Sequence, residues 1–199
     1  MPSSSEPDTG EPSARKEVLL GVGGGVAAYK AAYLTSKLAQ HGHGVTVVMT
    51  AAAQKFVGEA TFSALSGRRV LTDSFDLADH PLGPHIELAR MSDLLCVAPA
   101  TADLMAKAAG GHADDLLSTL MLSFTGPVVM APAMNTEMWE KPAVQRNLSQ
   151  LNEDGVLIAQ PGEGWLSCRT KGAGRMAEPD ELLTLINQTL AADTTGSGT

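Results

Sequence analysis

Cysteine, positive charge and long apolar runs are scarce in this sequence, and each shortage excludes a class of protein. The two cysteines, Cys96 and Cys168, lie in very different contexts, which argues against the disulfide framework of a small secreted domain. A formal net charge of −8 argues against a nucleic-acid-binding surface and against attraction to an anionic membrane. No apolar run reaches the roughly 18 residues that a membrane span needs. We therefore expect a cytoplasmic protein that binds neither nucleic acid nor membrane.

Polar, low-complexity sequence is confined to the two ends of the chain. Residues 1–15 are rich in Ser, Pro, Glu and Gly, and we interpret them, like residues 192–199, as disordered tails. Residues 16–191 suit one domain that is long enough for a sheet covered on both faces. The whole chain is 44% hydrophobic and 18% charged, which is typical of a globular protein.

Apolar runs alternate with helical stretches along this domain, which predicts a parallel sheet buried on both faces. In such sheets the chemistry lies at the carboxyl ends of the strands. Strands are predicted over 17–22, 44–49, 93–100, 127–133 and 156–161, with a further short one possible over 68–73. Helices are predicted over 26–42, 51–67, 85–91, 101–111, 112–124, 136–155 and 179–192, and a long loop over 162–179.

A run of three glycines, residues 23–25, joins the first strand to the first helix. Glycines there let backbone N–H groups approach an anion at the helix N-terminus, and phosphate is the natural ligand. A dinucleotide fingerprint would need a third glycine where Val26 stands and an acid near Thr50, so it fails. A mononucleotide phosphate fits better, with Thr50 as a hydroxyl donor, while a turn without a ligand is the alternative.

A second strand end, residues 98–101, precedes another helix and offers a second set of free amides beside the first. Thr101 can cap that helix or bind a ligand. Asp114 and Asp115 follow in the next helical segment, and acids in a first turn favour the helix dipole. Because neighbouring residues point to different faces of a helix, we do not interpret them as a catalytic pair.

Five segments of the chain, taken together, resemble the homo-oligomeric flavin-containing cysteine decarboxylases. They are residues 23–30, 85–90, 98–117, 132–139 and 168–176, and the string Pro-Ala-Met-Asn-x-x-Met-Trp over 132–139 is the most specific. Within that family the chain is most similar to members that act on 4'-phospho-N-pantothenoyl-L-cysteine in coenzyme A biosynthesis. The resemblance implies a flavodoxin-like (Rossmann-type) α/β three-layer sandwich with a mainly parallel sheet, which binds FMN and forms a homotrimer or a dodecamer of trimers.

The resemblance also implies roles for individual residues. His85 matches the family's active-site histidine, Cys168 a proton donor on a mobile flap, and Asn135 the residue that grips the substrate. The residues themselves add two expectations: Met134 forms part of an apolar wall of the substrate site, and the cations around Cys168, which are Arg169, Lys171 and Arg175, lie within reach of the substrate phosphate. Contacts to FMN are expected from Gly24, Gly25, Val26, Thr50, Pro99, Ala100, Thr101, Ala102, Asp103, Leu104 and Ala133, and no metal site is expected.

The implied chemistry solves the problem of losing a carboxylate that has no electron sink. In the family mechanism the flavin oxidises the cysteinyl CH2–SH group to a thioaldehyde, CO2 leaves, and the reduced flavin returns hydride to give 4'-phosphopantetheine. A neutral imidazole at His85 suits deprotonation of the thiol, although a helix-capping role is the alternative. The Asn135 amide can donate to the carboxylate, whereas Met138 and Trp139 are expected to pack the following helix.

Two other functions stay open at this point. One is a peptidyl-cysteine decarboxylase of the lantibiotic type, and the other is a non-enzymatic regulatory subunit. The joint presence of His85, Asn135 and Cys168 disfavours the second. The chain departs from many relatives at Asp103-Leu104, where they carry Asn-Thr, and at Arg169, where the flap of many relatives carries glycine.

Overall fold

The computed structural model describes residues 15–196, so residues 1–14 of the N-terminal tail predicted over 1–15 and residues 197–199 of the C-terminal tail predicted over 192–199 lie outside the described residues. The last helix runs past residue 191, at which the predicted domain ends. In chain order the elements are β1 (Glu17–Val22), α1 (Ala28–Gln40), β2 (Gly44–Met49), α2 (Glu59–Ser66), α3 (Pro84–Met91), β3 (Leu94–Ala100), α4 (Ala102–Gly110), α5 (Leu116–Ser123), β4 (Val128–Pro132), α6 (Thr136–Trp139), α7 (Pro142–Glu153), β5 (Leu157–Ile158), β6 (Gly162–Trp165), β7 (Lys171–Arg175) and α8 (Pro179–Gly196).

The central sheet has five strands in the order β2-β1-β3-β4-β5, and every neighbouring pair is parallel. This is the strand order of flavodoxin-like folds, in which ligands bind outside the carboxyl ends of the strands where the order reverses. Here the order reverses between β1 and β3. The predicted mainly parallel sheet is confirmed, and the reversal locates the crevice beside the glycine run.

Helices cover both faces of this sheet, which confirms the predicted three-layer sandwich. Alternate residues of β1 point to opposite faces, as the two-residue period of a strand requires. Leu20 joins a core with residues of α1, α2 and α8, whereas Leu19 joins a second core with residues of α3, α4, α5 and α7. Both side chains are fully buried.

The helix predicted over 136–155 is wrong as a single element, because it breaks into α6 and α7. Pro142 opens α7, and proline disfavours helical backbone in the residue before it. Lys141 accordingly has extended backbone, with φ −63° and ψ 133°. Trp139 packs against the core as predicted, whereas Met138 is 43% exposed.

The loop predicted over 162–179 is also wrong, since residues 162–175 form an antiparallel hairpin of β6 and β7. We call these residues the flap hairpin. Its β7 strand lies directly on the turn after β4: the Met134 N–H donates to the Gly174 carbonyl at 3.0 Å, and the Thr136 hydroxyl donates to the Ala173 carbonyl at 2.9 Å. A side chain at Gly172 would collide with Thr136, so the glycine permits this close approach.

Three smaller predictions also differ from the structure. The helix predicted over 51–67 is a 3-10 turn at Ala53–Lys55 followed by α2. The strand predicted over 156–161 shrinks to β5, and the possible strand over 68–73 to a single bridge between Leu71 and Val48.

Candidate active site

The turns that follow β1, β3 and β4 meet at one end of the sheet. The Gly23 N–H donates to the Pro99 carbonyl at 3.2 Å, and the Ala133 N–H donates to the Ala100 carbonyl at 3.0 Å. The Thr50 N–H, at the end of β2, donates to the Val22 carbonyl at 3.1 Å. The structure therefore brings together the strand ends that were predicted from the sequence to bind a ligand.

The three glycines of the first turn differ in what surrounds them. A Cβ atom on Gly23 would collide with the Pro99 carbonyl, and one on Gly24 would collide with Ala52. A Cβ atom on Gly25 would meet nothing closer than the Thr101 methyl group at 3.8 Å and the Pro99 ring at 3.9 Å. Packing therefore demands glycine at the first two positions, whereas the space at Gly25 opens toward a ligand.

A cavity of about 360 Å³ opens beside Gly25, within the size range of small-molecule sites, roughly 300–1,000 Å³. One wall is formed by residues 25–27 with Tyr29 and Lys30 of α1. The other walls are formed by residues 133–135, after β4, and by residues 165–167 and 174–176 of the flap hairpin and its exit. Six predicted site residues line it: Gly25, Val26, Ala133, Met134, Asn135 and Arg175.

Asn135 carries an amide whose two ends have different roles. Its Oδ1 accepts a hydrogen bond from the Met138 N–H at 2.9 Å and so caps α6. An amide side chain has one acceptor oxygen and a donor NH2 group. Because the oxygen is already engaged, Asn135 offers the cavity its two N–H donors, which suits a carboxylate ligand.

Two cations line the cavity, and sequence reasoning missed one of them. Lys30 is buried, and its Nζ donates to the Met176 carbonyl and to Glu178 Oε1, each at 2.9 Å. Arg175 Nη2 lies 2.8 Å from the same Glu178 oxygen. Lys30 stands in the apolar run "AAYKAAY", and a lysine on the buried side of a helix could have marked it as a paired, functional group.

The remaining predicted FMN contacts surround the glycine turn without lining the cavity. Thr101 caps α4, since its Oγ1 accepts from the Leu104 N–H at 3.3 Å. The side chains of Ala100 and Leu104 are buried in the core, and the Asp103 carboxylate lies 3.5 Å from Lys107 Nζ. Assignment of Gly24, Thr50, Pro99, Ala100, Thr101, Ala102, Asp103 and Leu104 to the cofactor stays a prediction.

The acidic pair that follows α4 is structural. Asp115 caps α5 by accepting from the Ser118 N–H at 2.7 Å. Lys107 Nζ lies 3.0 Å from Asp114, and this hydrogen bond holds the pKa of the Asp114 carboxyl below its ordinary value.

His85 lies in the first turn of α3 and is absent from the described residues that line the cavity. Its Nδ1 is buried and has no hydrogen-bond partner within residues 15–196. The capping alternative fails, because the N-cap of α3 is Gly83 and no side chain caps that end. His85 therefore has a buried ring nitrogen without a partner among these residues, and it lies outside the lining of the cavity.

Cys168 lies at the exposed tip of the flap hairpin, where its Sγ is 3.0 Å from the Thr170 hydroxyl. It does not line the cavity, although Ser167 beside it does. Arg169 has φ +66°, the left-handed backbone that glycine adopts without strain. Cys96 differs in every respect: it is fully buried, and burial raises the pKa of its thiol to about 12.

Comparison with known proteins assigns the chain to a family. A family model described as Flavoprotein matches residues 6–191. The chain belongs to the Flavoprotein family. This Flavoprotein-family chain is 47% identical over 179 residues to the coenzyme A biosynthesis bifunctional protein CoaBC of Bacillus subtilis (strain 168), covering 90% of this chain and 44% of that protein.

The CoaBC protein of Mycobacterium tuberculosis (strain ATCC 25618 / H37Rv) is 49% identical over 170 residues, which cover 85% of this chain and 40% of that protein. The chain thus spans less than half the length of these curated relatives.

Two solved structures of decarboxylases share the fold of this Flavoprotein-family chain. A PPC decarboxylase mutant complexed with pantothenoylaminoethenethiol superposes with a TM-score of 0.78 and 31% identity, covering 87% of this chain and 97% of that chain. The FMN-dependent cysteine decarboxylase SpaF gives a TM-score of 0.80 and 35% identity, covering 90% and 97%.

Two further findings concern metals and membranes. Within the described part of this Flavoprotein-family chain, no group of three or more His, Cys, Asp or Glu side chains is placed to hold a metal ion. Over the same residues, no helix combines the length and the apolar character that crossing a membrane requires.

Proposed function

We propose that this chain is an FMN-dependent decarboxylase that converts 4'-phospho-N-pantothenoyl-L-cysteine to 4'-phosphopantetheine and CO2. The observation that carries the proposal is the cavity in which the open glycine position, Gly25, faces an asparagine with two free N–H donors, Asn135. The names of the relatives, a coenzyme A biosynthesis protein and a PPC decarboxylase, support the same reaction.

The residues of the cavity fit FMN. The space at Gly25 lies beside the N-terminus of α1, where backbone N–H groups and the helix dipole favour a phosphate. Val26, Tyr29 and Met134 offer apolar surface to the flavin ring. When bound, FMN supplies the two-electron oxidation of the cysteinyl CH2–SH group and its reversal, which no amino-acid side chain provides.

Asn135 binds the substrate carboxylate through its N–H donors. A neutral amide holds this group without stabilising the anion as strongly as a cation would, so the ground state is not bound too tightly for CO2 to leave. Met134 forms an apolar wall beside it, and the flap hairpin limits the access of water. Arg175 binds the phosphate of the substrate with its remaining N–H donors.

His85 accepts the thiol proton, and Cys168 returns a proton to the product. Neither lies in the cavity of its own chain, so each has to reach a cavity by another route. For Cys168 that route is movement of the hairpin tip, which is exposed. For His85 it is a second subunit, whose cavity meets the surface that surrounds α3.

Two different apolar patches support this assembly. Val26, before α1, and Tyr29 and Tyr33, one turn apart on α1, are half exposed, and the first two line the cavity. Phe75, Leu77, Leu82 and Met91 are exposed around α3 and the segment before it. Contact between unlike patches is heterologous, and a rotation of one third of a turn between subunits closes such contacts into a three-membered ring. We therefore propose a homotrimer, alone or as a unit of a dodecamer, in which His85 serves the cavity of a neighbour.

The proposal also places the protein in the cytoplasm, where the two free cysteines would stay reduced. Its sharpest test compares two substrates. The FMN-loaded protein is incubated with 4'-phospho-N-pantothenoyl-L-cysteine or with a peptide that ends in cysteine, and CO2 is measured. The second substrate tests the alternative function, that of a peptidyl-cysteine decarboxylase. Structural similarity to the cysteine decarboxylase SpaF is the reason to include it. We expect CO2 from the first substrate. Release of CO2 only from the peptide would refute the proposed substrate and support a peptidyl-cysteine decarboxylase instead.

A further inference from the structure

A single carboxylate oxygen organises both cations of the cavity. Lys30 approaches from α1 and its Nζ donates to Glu178 Oε1 at 2.9 Å, while Arg175, at the end of β7, forms an ion pair with the same oxygen, its Nη2 lying 2.8 Å away. Lys30 and Arg175 line the cavity, whereas Glu178 stands behind them. The three charges leave one net positive charge at the cavity wall.

Glu178 is itself held in place by the start of α8. Its backbone N–H donates to Glu181 Oε2 at 2.9 Å, and its carbonyl accepts from the Leu182 N–H at 3.0 Å. Pro179, with its restricted φ, follows immediately and opens the helix. The backbone from which the carboxylate projects is therefore fixed before any ligand binds.

The two cations depend on Glu178 to different degrees. The Lys30 side chain is 6% exposed and keeps a second acceptor, the Met176 carbonyl, at 2.9 Å. The Arg175 side chain is 43% exposed, and Glu178 is its ion-pair partner within the described residues. Lys30 thus anchors the carboxylate, and the carboxylate in turn fixes the more exposed guanidinium. With Nη2 engaged, the other donors of the rigid guanidinium fork are available to a ligand.

We propose that Glu178 is a positioning residue, which holds Arg175 at the cavity through a carboxylate that Lys30 anchors. Glu178 thereby sets the affinity for the phosphate monoester of the substrate without touching the substrate. The inference rests on the proposed function only in that Arg175 is assigned there to this phosphate. The positioning itself is a property of the free protein and can be measured without turnover.

The test compares Glu178→Gln with Asp180→Asn, in the FMN-loaded full chain. Both changes remove one acid near the start of α8, but Asp180 pairs with Lys37 on the outer surface, away from the cavity. Glutamine keeps an oxygen acceptor but removes the charge from a partly exposed ion pair, which predicts a KM about two- to fivefold higher in E178Q, with kcat little changed. We expect D180N to match the wild type, and Glu178→Asp, which keeps the charge, to recover part of the loss.

A double-mutant cycle shows whether Glu178 acts through Arg175. If it does, E178Q raises KM in the wild-type background but has no further effect in the Arg175→Gln background. Full additivity of the two changes in the free energy of binding would overturn the inference.

Trypsin supplies the measurement that needs no activity. It cleaves after Arg175, and an arginine freed from its carboxylate is cleaved faster, so we expect faster cleavage there in E178Q than in the wild type or D180N. Equal cleavage rates in all three would overturn the positioning inference, whatever the substrate proves to be. A wild type that releases no CO2 but shows the predicted cleavage would instead refute the proposed function and retain the positioning.

Discussion

Replacing Asn135 with aspartate separates the two roles of this side chain. The Oδ1 atom caps α6 through the Met138 N–H at 2.9 Å, and an aspartate oxygen caps equally well. A carboxylate at a helix N-terminus is also favoured by the dipole. Asn135→Asp should therefore fold with a Tm close to that of the wild type. What it loses is the pair of N–H donors that face the cavity.

The expected loss of activity follows from two contributions. A hydrogen bond to a charged group contributes about 1.5–3 kcal/mol. Repulsion between the introduced carboxylate and that of the substrate adds at least about 1 kcal/mol, even with water-like screening at about 4 Å. The sum is at least about 2.5 kcal/mol, which lowers kcat/KM at least about 60-fold.

Asn135→Ala is the matched comparison, because it removes the cap together with the donors. Loss of the cap costs about 1 kcal/mol, or about 2–4 °C in Tm for a domain of this size. The assay follows CO2 release from 4'-phospho-N-pantothenoyl-L-cysteine alongside thermal unfolding. A folded Asn135→Asp variant with a kcat/KM close to that of the wild type would refute the assignment of this amide to the carboxylate.

Three further predictions concern His85, Cys168 and Arg169. His85→Asn should retain the yellow flavin and lose about 10²–10⁴-fold in turnover, as expected when a general base is removed. If His85 serves a neighbouring subunit, oligomers reassembled from a mixture of His85→Asn and Asn135→Asp subunits should regain part of the activity. Mixed oligomers no more active than the two variants alone would contradict the shared site. Cys168→Ser should release CO2 yet leave an unsaturated enethiol, detectable by mass; normal formation of the saturated thiol would contradict its role as proton donor. Arg169→Gly should raise Tm by about 1–3 °C because it relieves the left-handed backbone at φ +66°. Arg169→Ala, which also removes the charge but keeps the Cβ, is the control and should show no such gain.

The sheet was predictable from the sequence because its strands are apolar on both faces. Runs such as 17–22 and 44–49 are too apolar to lie on the solvent-exposed surface. The structure confirms them as β1 and β2, which begin and end at those residues. Their alternation with helices predicted a parallel sheet, and the glycine run marked the turn at which the strand order reverses.

The flap hairpin was not predictable in the same way. Its two strands contain Gly162, Gly164, Gly172 and Gly174, and glycine is among the residues least favoured in strands. The hairpin forms because its β7 strand docks on the turn after β4, a tertiary contact that no local pattern encodes. The break before Pro142, by contrast, follows from a local rule about the residue that precedes proline, and the helical pattern on either side obscured it.

Site residues were predictable where they belong to a local sequence motif. They were not predictable where their role depends on contact with a residue that is distant in the sequence. Asn135 and Gly25 stand in recognisable strings, and both line the cavity. Glu178 lies within the loop predicted over 162–179, and its importance lies in contacts with Lys30, far away in sequence. Only the fold brings these residues together.

Flavin titration of the purified protein tests the central claim most directly. FMN is expected to bind with its phosphate in the space beside Gly25. Wild-type protein should take up FMN to one flavin per chain and show a perturbed flavin absorbance spectrum. Gly25→Ala should keep its Tm, because an added Cβ meets nothing closer than 3.8 Å within the protein, yet should bind FMN much more weakly. Failure of the wild type to take up FMN, or unchanged binding by Gly25→Ala, would contradict the account.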